Sequence, residues 1–478
     1  MNFLPPEFLP AAPEMFILGM ICIILVVDLF LTDERRGISF TLSLLTLAGA
    51  AWLTATHVPD TRVLIFSDTF VADRLSHALK LVSYGAVALV FLFSRDYLKQ
   101  KDLFKGEYFV LGLFGLLGIM VMISAHHFLT LYLGLELMAL SLYTLVAFDR
   151  DSPVASESAM KYFVLGAIAS GTLLYGISIL YGVTGTLDFG ELATALADRD
   201  RAELPLLFAL AFVLVGVAFK FGAVPFHMWL PDVYQGAPTS VTLYVGSAPK
   251  IAAFAMIMRI IVEAMGPMHD SWQDMLMVIA VLSLALGNIT AIAQTNIKRM
   301  LAYSTIAHMG FVVLGVLTGT VVGYRAAMFY VVTYVLTTIG AFGVIILLSR
   351  KGFESEELDD FKGLNARSPW FAAMMLILMF SLTGVPPFLG FYAKLVIFNA
   401  LIGSGLPWLA ALVVIFSVIG AFYYLRMIKL MYFDEAGDAA PIESQLDTRV
   451  VLSATALAVL GLGIFPGGLL ELCASAIG

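Results

Sequence analysis

The chain has 478 residues, 60% hydrophobic and 13% charged, with a mean hydropathy of +0.93. A soluble chain is nearer half apolar and a quarter charged, so the composition excludes a soluble globular enzyme and points to a polytopic membrane protein. The formal charge of −8 is therefore no evidence for nucleic acid or an acidic partner, and the two cysteines, Cys22 and Cys473, make no CxxC and no metal spacing.

A window of about 20 residues divides the chain into about 14 predicted spans. They lie near 15–32, 39–57, 75–94, 108–125, 127–148 and 157–182, followed by a broken 205–235. Further spans lie near 239–265, 272–295, 299–319 and 324–349, then a broken 369–401, 405–432 and 450–474. No basic segment precedes the first, so it reads as a helix that stays, not a cleaved signal. Between the second and third spans, RVLIFSDTFVAD alternates apolar and polar residues and predicts a small external hairpin. The charged segment 187–203 is expected at the surface. Basic residues fix the orientation. Arg35, Arg36, Arg95, Lys99, Lys101, Lys105, Lys298, Arg299, Arg350 and Lys351 all follow odd-numbered spans. By the positive-inside rule those loops are cytoplasmic and both termini face away.

The stretch 219–250, FKFGAVPFHMWLPDVYQGAPTSVTLYVGSAPK, organises the rest. An apolar run from Leu206 carries the chain roughly 21 Å into a core about 30 Å thick before it reaches Lys220. Gly222 and Pro225 then free backbone groups, which is tolerated only where they face protein or line a wet cavity. Lys250 follows Pro249 in the next run. Gly384-Val-Pro-Pro387-Phe repeats the Gly222-Ala-Val-Pro225-Phe break five spans later, with Lys394 close by. An odd separation means the two copies cross in opposite directions, the inverted pattern of ion transporters.

A cation at the centre of a membrane helix costs roughly 2.5–3.5 kcal/mol, so Lys220, Lys250 and Lys394 need a reason. They are either buried structural pairs or members of a proton path. Glu136, about nine residues into the fifth span, is either a structural carboxylate or one that tunes a lysine. A desolvated lysine loses pKa units and a nearby carboxylate restores them, whereas an arginine stays charged. Lys161 sits near the start of the sixth span, and snorkelling to the cytoplasmic surface competes there with a relay role. His227 follows the first break, and Ser304 and His308 share one helix face; each histidine is a core residue or a relay. Lys80 and Arg259 lie away from the breaks and read as structural or snorkelling, and His126 and His127 carry no assignment. A P-loop, a dinucleotide fingerprint and a metal-ligand cluster are all missing.

At VPFHMWLPDVYQGAP (224–238), QTNIKRMLAYSTIAHMG (294–310) and GVPPFLGFYAK (384–394), the chain closely resembles the antiporter-like subunits of respiratory complex I, the NADH:quinone oxidoreductase. The resemblance runs from about the second span to the last. It implies an all-α fold of 14 transmembrane helices with two inverted five-helix repeats, and helices seven and twelve broken. The implied regions are 1–107, repeats 108–265 and 266–433, and a C-terminal helix in 434–478. It also implies that Glu136, Lys161, Lys220, Lys250 and Lys394 carry protons, with His227 and His308 beside them. Lys394 stands where one sibling, subunit M, has a glutamate, and the expected end of the chain after its fourteenth span differs from subunit L. NADH, FMN, iron–sulfur clusters and quinone are then bound by partner subunits, not by this chain. The implied neighbours are an antiporter-like subunit M, small subunits such as K and, through them, the NADH-oxidising arm. The implied site is the bacterial inner membrane. A multisubunit sodium/proton antiporter or a membrane-bound hydrogenase shares the lysine and glutamate pattern. A third reading, a non-conducting structural spacer, predicts permanent salt bridges on the buried lysines.

Overall fold

The computed structural model describes residues 8–59, 61–199, 203–435 and 446–478. Among them, 13 helices are long and apolar enough to cross a membrane. Two shorter apolar helices, Pro369–Thr383 and Leu389–Gly403, follow one another and complete the twelfth crossing. Helices are the expected solution, because backbone groups in hydrocarbon must be paired within the segment. The one sheet among the described residues is the expected hairpin, Val63–Ile65 antiparallel to Phe70–Ala72.

Burial is graded across the bundle. The spans Thr239–Ala264, Ile297–Leu317 and Val321–Leu348 are 94% buried over their apolar windows, against 33% for Leu9–Asp28 and Pro407–Phe433. The eighth, tenth and eleventh spans are thus the protein's interior, and the outer ones present apolar side chains to lipid. Polar caps fix helix starts at the surface. Asp73 accepts from the Ser76 N–H at 2.8 Å while the Ser76 hydroxyl takes the Asp73 N–H at 2.9 Å.

Both predicted breaks are present. The seventh span runs Leu204–Phe221, turns at Gly222 (φ +73°) and resumes at Trp229–Gly236. The first half of the twelfth ends at Gly384 (φ +86°). A left-handed residue closes each half-helix, which glycine adopts without a Cβ penalty. At Gly222 the space is also required, since a Cβ would lie 2.3 Å from Leu230 Cδ1.

Two interruptions differ from the sequence reading. The eighth span is Thr239–Val245 and then Ala248–Ile257, continuing as a π-helix over Met258–Ala264. Pro249 sits in the first turn of its second piece, where no helical N–H is needed. The last span, read as one run over 450–474, is two helices, Leu446–Ile464 and Gly467–Ala476. Pro466 lies between them and has no N–H to continue the ladder. Segment 187–203, residues 200–202 of which lie outside the described set, is largely at the surface as expected, with Glu191, Thr194, Asp198 and Arg199 exposed. It holds a helix, Phe189–Ala197, which buries Phe189 and Leu192 completely.

Candidate functional site

Buried cations in this bundle are of two kinds. The first kind is closed by a carboxylate. Lys80, 1% exposed, lies 2.6 Å from Glu14. Arg259 holds Asp73 at 2.8 Å and also Glu263, and Lys298 holds Glu356 at 2.7 Å. Lys80 and Arg259 are therefore structural, as their distance from the breaks suggested. Lys220, Lys250 and Lys394 are the second kind. All three are buried, and among the described residues no carboxylate lies within 4.0 Å of any of them.

What they touch instead is set by the breaks. A helix end leaves its last carbonyls without intrahelical partners and carries the negative end of the dipole. Phe221 is the last residue of the first half of span seven, and its carbonyl accepts from Lys250 Nζ at 3.1 Å. Thr383 is the last residue of the first half of span twelve, and its carbonyl accepts from Lys394 Nζ at 2.7 Å. Each break thus supplies an uncharged acceptor to one buried lysine. The sequence paired the first break with Lys220; by this contact the counterpart of Lys394 is Lys250.

Lys220 is different again. Its Nζ is buried with no hydrogen-bond partner among the described residues and lies 5.7 Å from the Phe219 ring centroid. Trp229 wedges the same break, donating to the Phe219 carbonyl at 3.0 Å and stacking on Tyr162 at 4.4 Å. Lys250 also approaches this ring, its Nζ 5.4 Å from the Trp229 centroid. Lys250 thus meets Trp229 and Lys220 meets Phe219, the residue whose carbonyl Trp229 holds. Glu136 is half-buried on the fifth span, Phe128–Val146, and accepts from Ser170 at 2.5 Å instead of closing an ion pair on Lys220.

His308 lies in the second half of the molecule. Its Nδ1 is 2.7 Å from the Tyr330 hydroxyl and its Nε2 is 2.9 Å from the Tyr424 hydroxyl. Ser304 meets the same Tyr424 oxygen at 2.5 Å, so the one-face spacing does bring Ser304 and His308 together. A neutral imidazole donates through one nitrogen and accepts through the other, so a hydroxyl on each side forms a relay when both protons shift. A cavity of about 10 Å³, room for one water, lies between His308, Lys394, Ser417 and Tyr424. A second of about 10 Å³ joins His308 to Tyr334 and Ser381. Lys394 also donates to Ser417 at 2.9 Å. The structure thus groups His308 with Lys394. Its hydrogen-bond partners do not include Lys250.

Two candidates lie outside this set. Lys161 is exposed and sits 2.9 Å from both Glu157 and Asp232, the latter also held by Arg299 at 2.8 Å. It snorkels into a surface cluster. His227 lies half-buried in the first break, its Nδ1 without a hydrogen-bond partner among the described residues. Sequence reasoning missed Tyr330, Tyr424, Ser417 and Ser170, because hydroxyls are common in membrane helices and carry no spacing signal. Among the described residues no group of three or more His, Cys, Asp or Glu is arranged to hold a metal ion.

Residues 125–420 match the family model described as NADH:quinone oxidoreductase/Mrp antiporter, TM. The chain is 60% identical over its whole length to the full NADH-quinone oxidoreductase subunit N of Thioalkalivibrio sulfidiphilus. A chain of respiratory complex I from Thermus thermophilus superposes with a TM-score of 0.83 at 29% identity, covering 97% of this chain and 99% of its own. A chain of an archaeal membrane-bound sulfane sulfur reductase does so at 0.89 and 26% identity, covering 98% and 97%. With its two broken helices and its buried lysines, the chain belongs to the NADH:quinone oxidoreductase/Mrp antiporter family of membrane subunits.

Proposed function

We propose that this chain translocates protons as a membrane-arm subunit of an NADH:quinone oxidoreductase, with the redox chemistry done in partner subunits. The observation that carries the reading is the set of buried lysines with no carboxylate beside them. Three such cations cost on the order of 8–10 kcal/mol on insertion scales. A spacer would avoid that by pairing them or using apolar residues, as Lys80 is paired with Glu14. A lysine bound only to a carbonyl or hydroxyl can be neutral or charged, and small electrostatic changes decide which.

Protons enter from the cytoplasm past the Lys161–Asp232 surface cluster and reach Lys220 and Lys250 around Trp229. His227, in the same break, serves the same transfer. They pass through the hydroxyls of the tenth and eleventh spans to His308 and Lys394 and leave to the far side. Glu136, released from Ser170, approaches Lys220 and raises its proton affinity; returning to Ser170 it lowers it. The lysine-bearing segments 108–265 and 266–433 act as two inverted repeats, each centred on one break. The chain itself binds no NADH, FMN, iron–sulfur cluster or quinone. Its partners are an antiporter-like subunit M, small subunits such as K and, through them, the NADH-oxidising arm. It lies in the bacterial inner membrane with both termini on the periplasmic side.

A mild-detergent purification of the tagged chain from native membranes tests the parent complex. Flavin and iron–sulfur subunits with NADH oxidation are the expected company. The second reading is a sodium/proton antiporter, which the family model's description names beside the oxidoreductase, or another respiratory membrane complex, which the superposition on the sulfane sulfur reductase chain favours. It predicts that only other membrane subunits are retained, and that sodium drives a pH gradient in everted vesicles without NADH.

A further inference from the structure

We propose that the face formed by the ends of spans one to three binds the phosphate of an anionic phospholipid of the cytoplasmic leaflet. A cavity of about 540 Å³ opens there, lined by Arg36, Arg95, Lys99, Lys105 and Phe104, with Asp33, Glu34 and Asp102 also present. Its volume is in the range of small-ligand sites.

The charges are sorted by depth. The Asp33 and Asp102 side chains are 90% and 80% exposed, whereas those of Arg36 and Arg95 are 20% and 34% exposed. The acids point out to water and the guanidinium groups point in. The two arginines are held in place, Arg36 by Asp33 at 3.1 Å and Arg95 by Asp447 at 2.7 Å and by the Phe40 ring. Even so, Arg36 Nε and Arg95 Nε are buried donors with no hydrogen-bond partner among the described residues. These two atoms lie behind the cavity wall, so the groups open to a ligand are the lysine ammoniums and the outer guanidinium nitrogens. Lys99 and Lys105 have no carboxylate within 4.0 Å among the described residues. A phosphodiester, with its acceptor oxygens, answers the two lysines that have no carboxylate, with the two carboxylate-paired arginines beside them.

The surroundings favour a lipid over a soluble phosphate. Leu29 and Phe30, between the first span and Asp33, are 78% and 83% exposed, and Ile38 beyond the cavity is 44% exposed. An apolar surface next to a basic cavity matches the boundary between acyl chains and headgroups. Basic pockets at the cytoplasmic ends of membrane helices are where anionic headgroups bind.

The test is thermal unfolding of the delipidated intact complex, titrated with phosphatidylglycerol in phosphatidylcholine, with phosphatidylcholine alone, or with inorganic phosphate. Because Lys99 and Lys105 are exposed and form no ion pair among the described residues, the double variant K99Q/K105Q is expected to fold. Phosphatidylglycerol is expected to raise the midpoint of the natural protein. K99Q/K105Q should need about 30-fold more lipid for the same rise. K429Q, which removes another exposed cation at the far end of span thirteen, should need no more than the natural protein. The proposal is overturned if K99Q/K105Q responds like the natural protein, or if K429Q weakens the response equally. Protection by inorganic phosphate without a response to phosphatidylglycerol overturns the lipid assignment.

Discussion

Replacing Lys220 by methionine should stabilise the fold while stopping proton transfer, and replacing Lys80 by methionine should do the reverse to stability. Both lysines are buried in the bundle, at 7% and 1% exposure. The difference lies in what each leaves behind. Lys220 Nζ makes no hydrogen bond among the described residues, so Lys220→Met forfeits the contact with the Phe219 ring and the distant Glu136 charge. Removing the buried cation recovers roughly 2.5–3.5 kcal/mol. The lost aromatic contact returns about 1–2 kcal/mol of that, so the net gain is about 0.5–2.5 kcal/mol. Lys80→Met instead strands Glu14, itself 7% exposed, without its partner at 2.6 Å. Removing one member of a buried pair costs about 3–5 kcal/mol. Reversible unfolding in mixed micelles gives both values, and dye quenching in vesicles driven by NADH gives pumping. If Lys220→Met lowered stability as much as Lys80→Met, Lys220 would be a structural ion-pair residue and its assignment to the proton path would fail.

Tyr424→Phe removes the hydroxyl shared by Ser304 and His308 and should lower pumping several-fold with little loss of quinone reduction; an unchanged proton-to-electron ratio would remove Tyr424 from the path. Gly390→Ala should destabilise the twelfth span by at least about 2 kcal/mol, because the new Cβ would stand 1.8 Å from the Ser381 carbonyl oxygen, which is backbone and cannot swing away. A well-folded, fully active Gly390→Ala protein would contradict that packing. Just before the fifth span, burial and the Arg62 guanidinium, 3.0 Å from Nδ1, hold His126 below the usual histidine range against the pull of Asp188 and Glu263. A depressed histidine contributes stability that is complete above its unfolded value, about 6.5, and is lost as pH falls through the folded value. Hydrogen exchange in the 63–72 hairpin, corrected for intrinsic rate, should therefore quicken below pH of about 6.5, and His126→Gln should abolish that dependence.

Much of the fold was legible because hydrocarbon imposes one rule, a long apolar helix per crossing, and between Ala12 and Phe433 the chain departs from it only at the seventh, eighth and twelfth crossings. The breaks were legible for the same reason, since Gly222 and Gly384 stand where an unbroken helix would need no glycine. Pro249 and Pro466 were harder. Proline is tolerated in a first helical turn, so the residue alone does not tell a kink from a new start. The lysines announced themselves by their cost, but their partners did not. Whether a buried cation meets a carboxylate, as Lys80 does, or a freed carbonyl, as Lys250 does, depends on which helices pack together. The hydroxyls around His308 come from spans ten, eleven and thirteen, joined across 22 and 116 residues of sequence. Such contacts leave no local pattern.

The most direct test is the proton-to-electron ratio of the intact complex in sealed vesicles, with quinone reduction measured in the same sample. Lys220→Met, Lys250→Met and Lys394→Met should each lower the ratio while NADH still reduces quinone, and Lys161→Gln should lower it less than any of them. If all three buried-lysine variants kept the full ratio, protons would not travel through these side chains, and the account would be wrong at its centre.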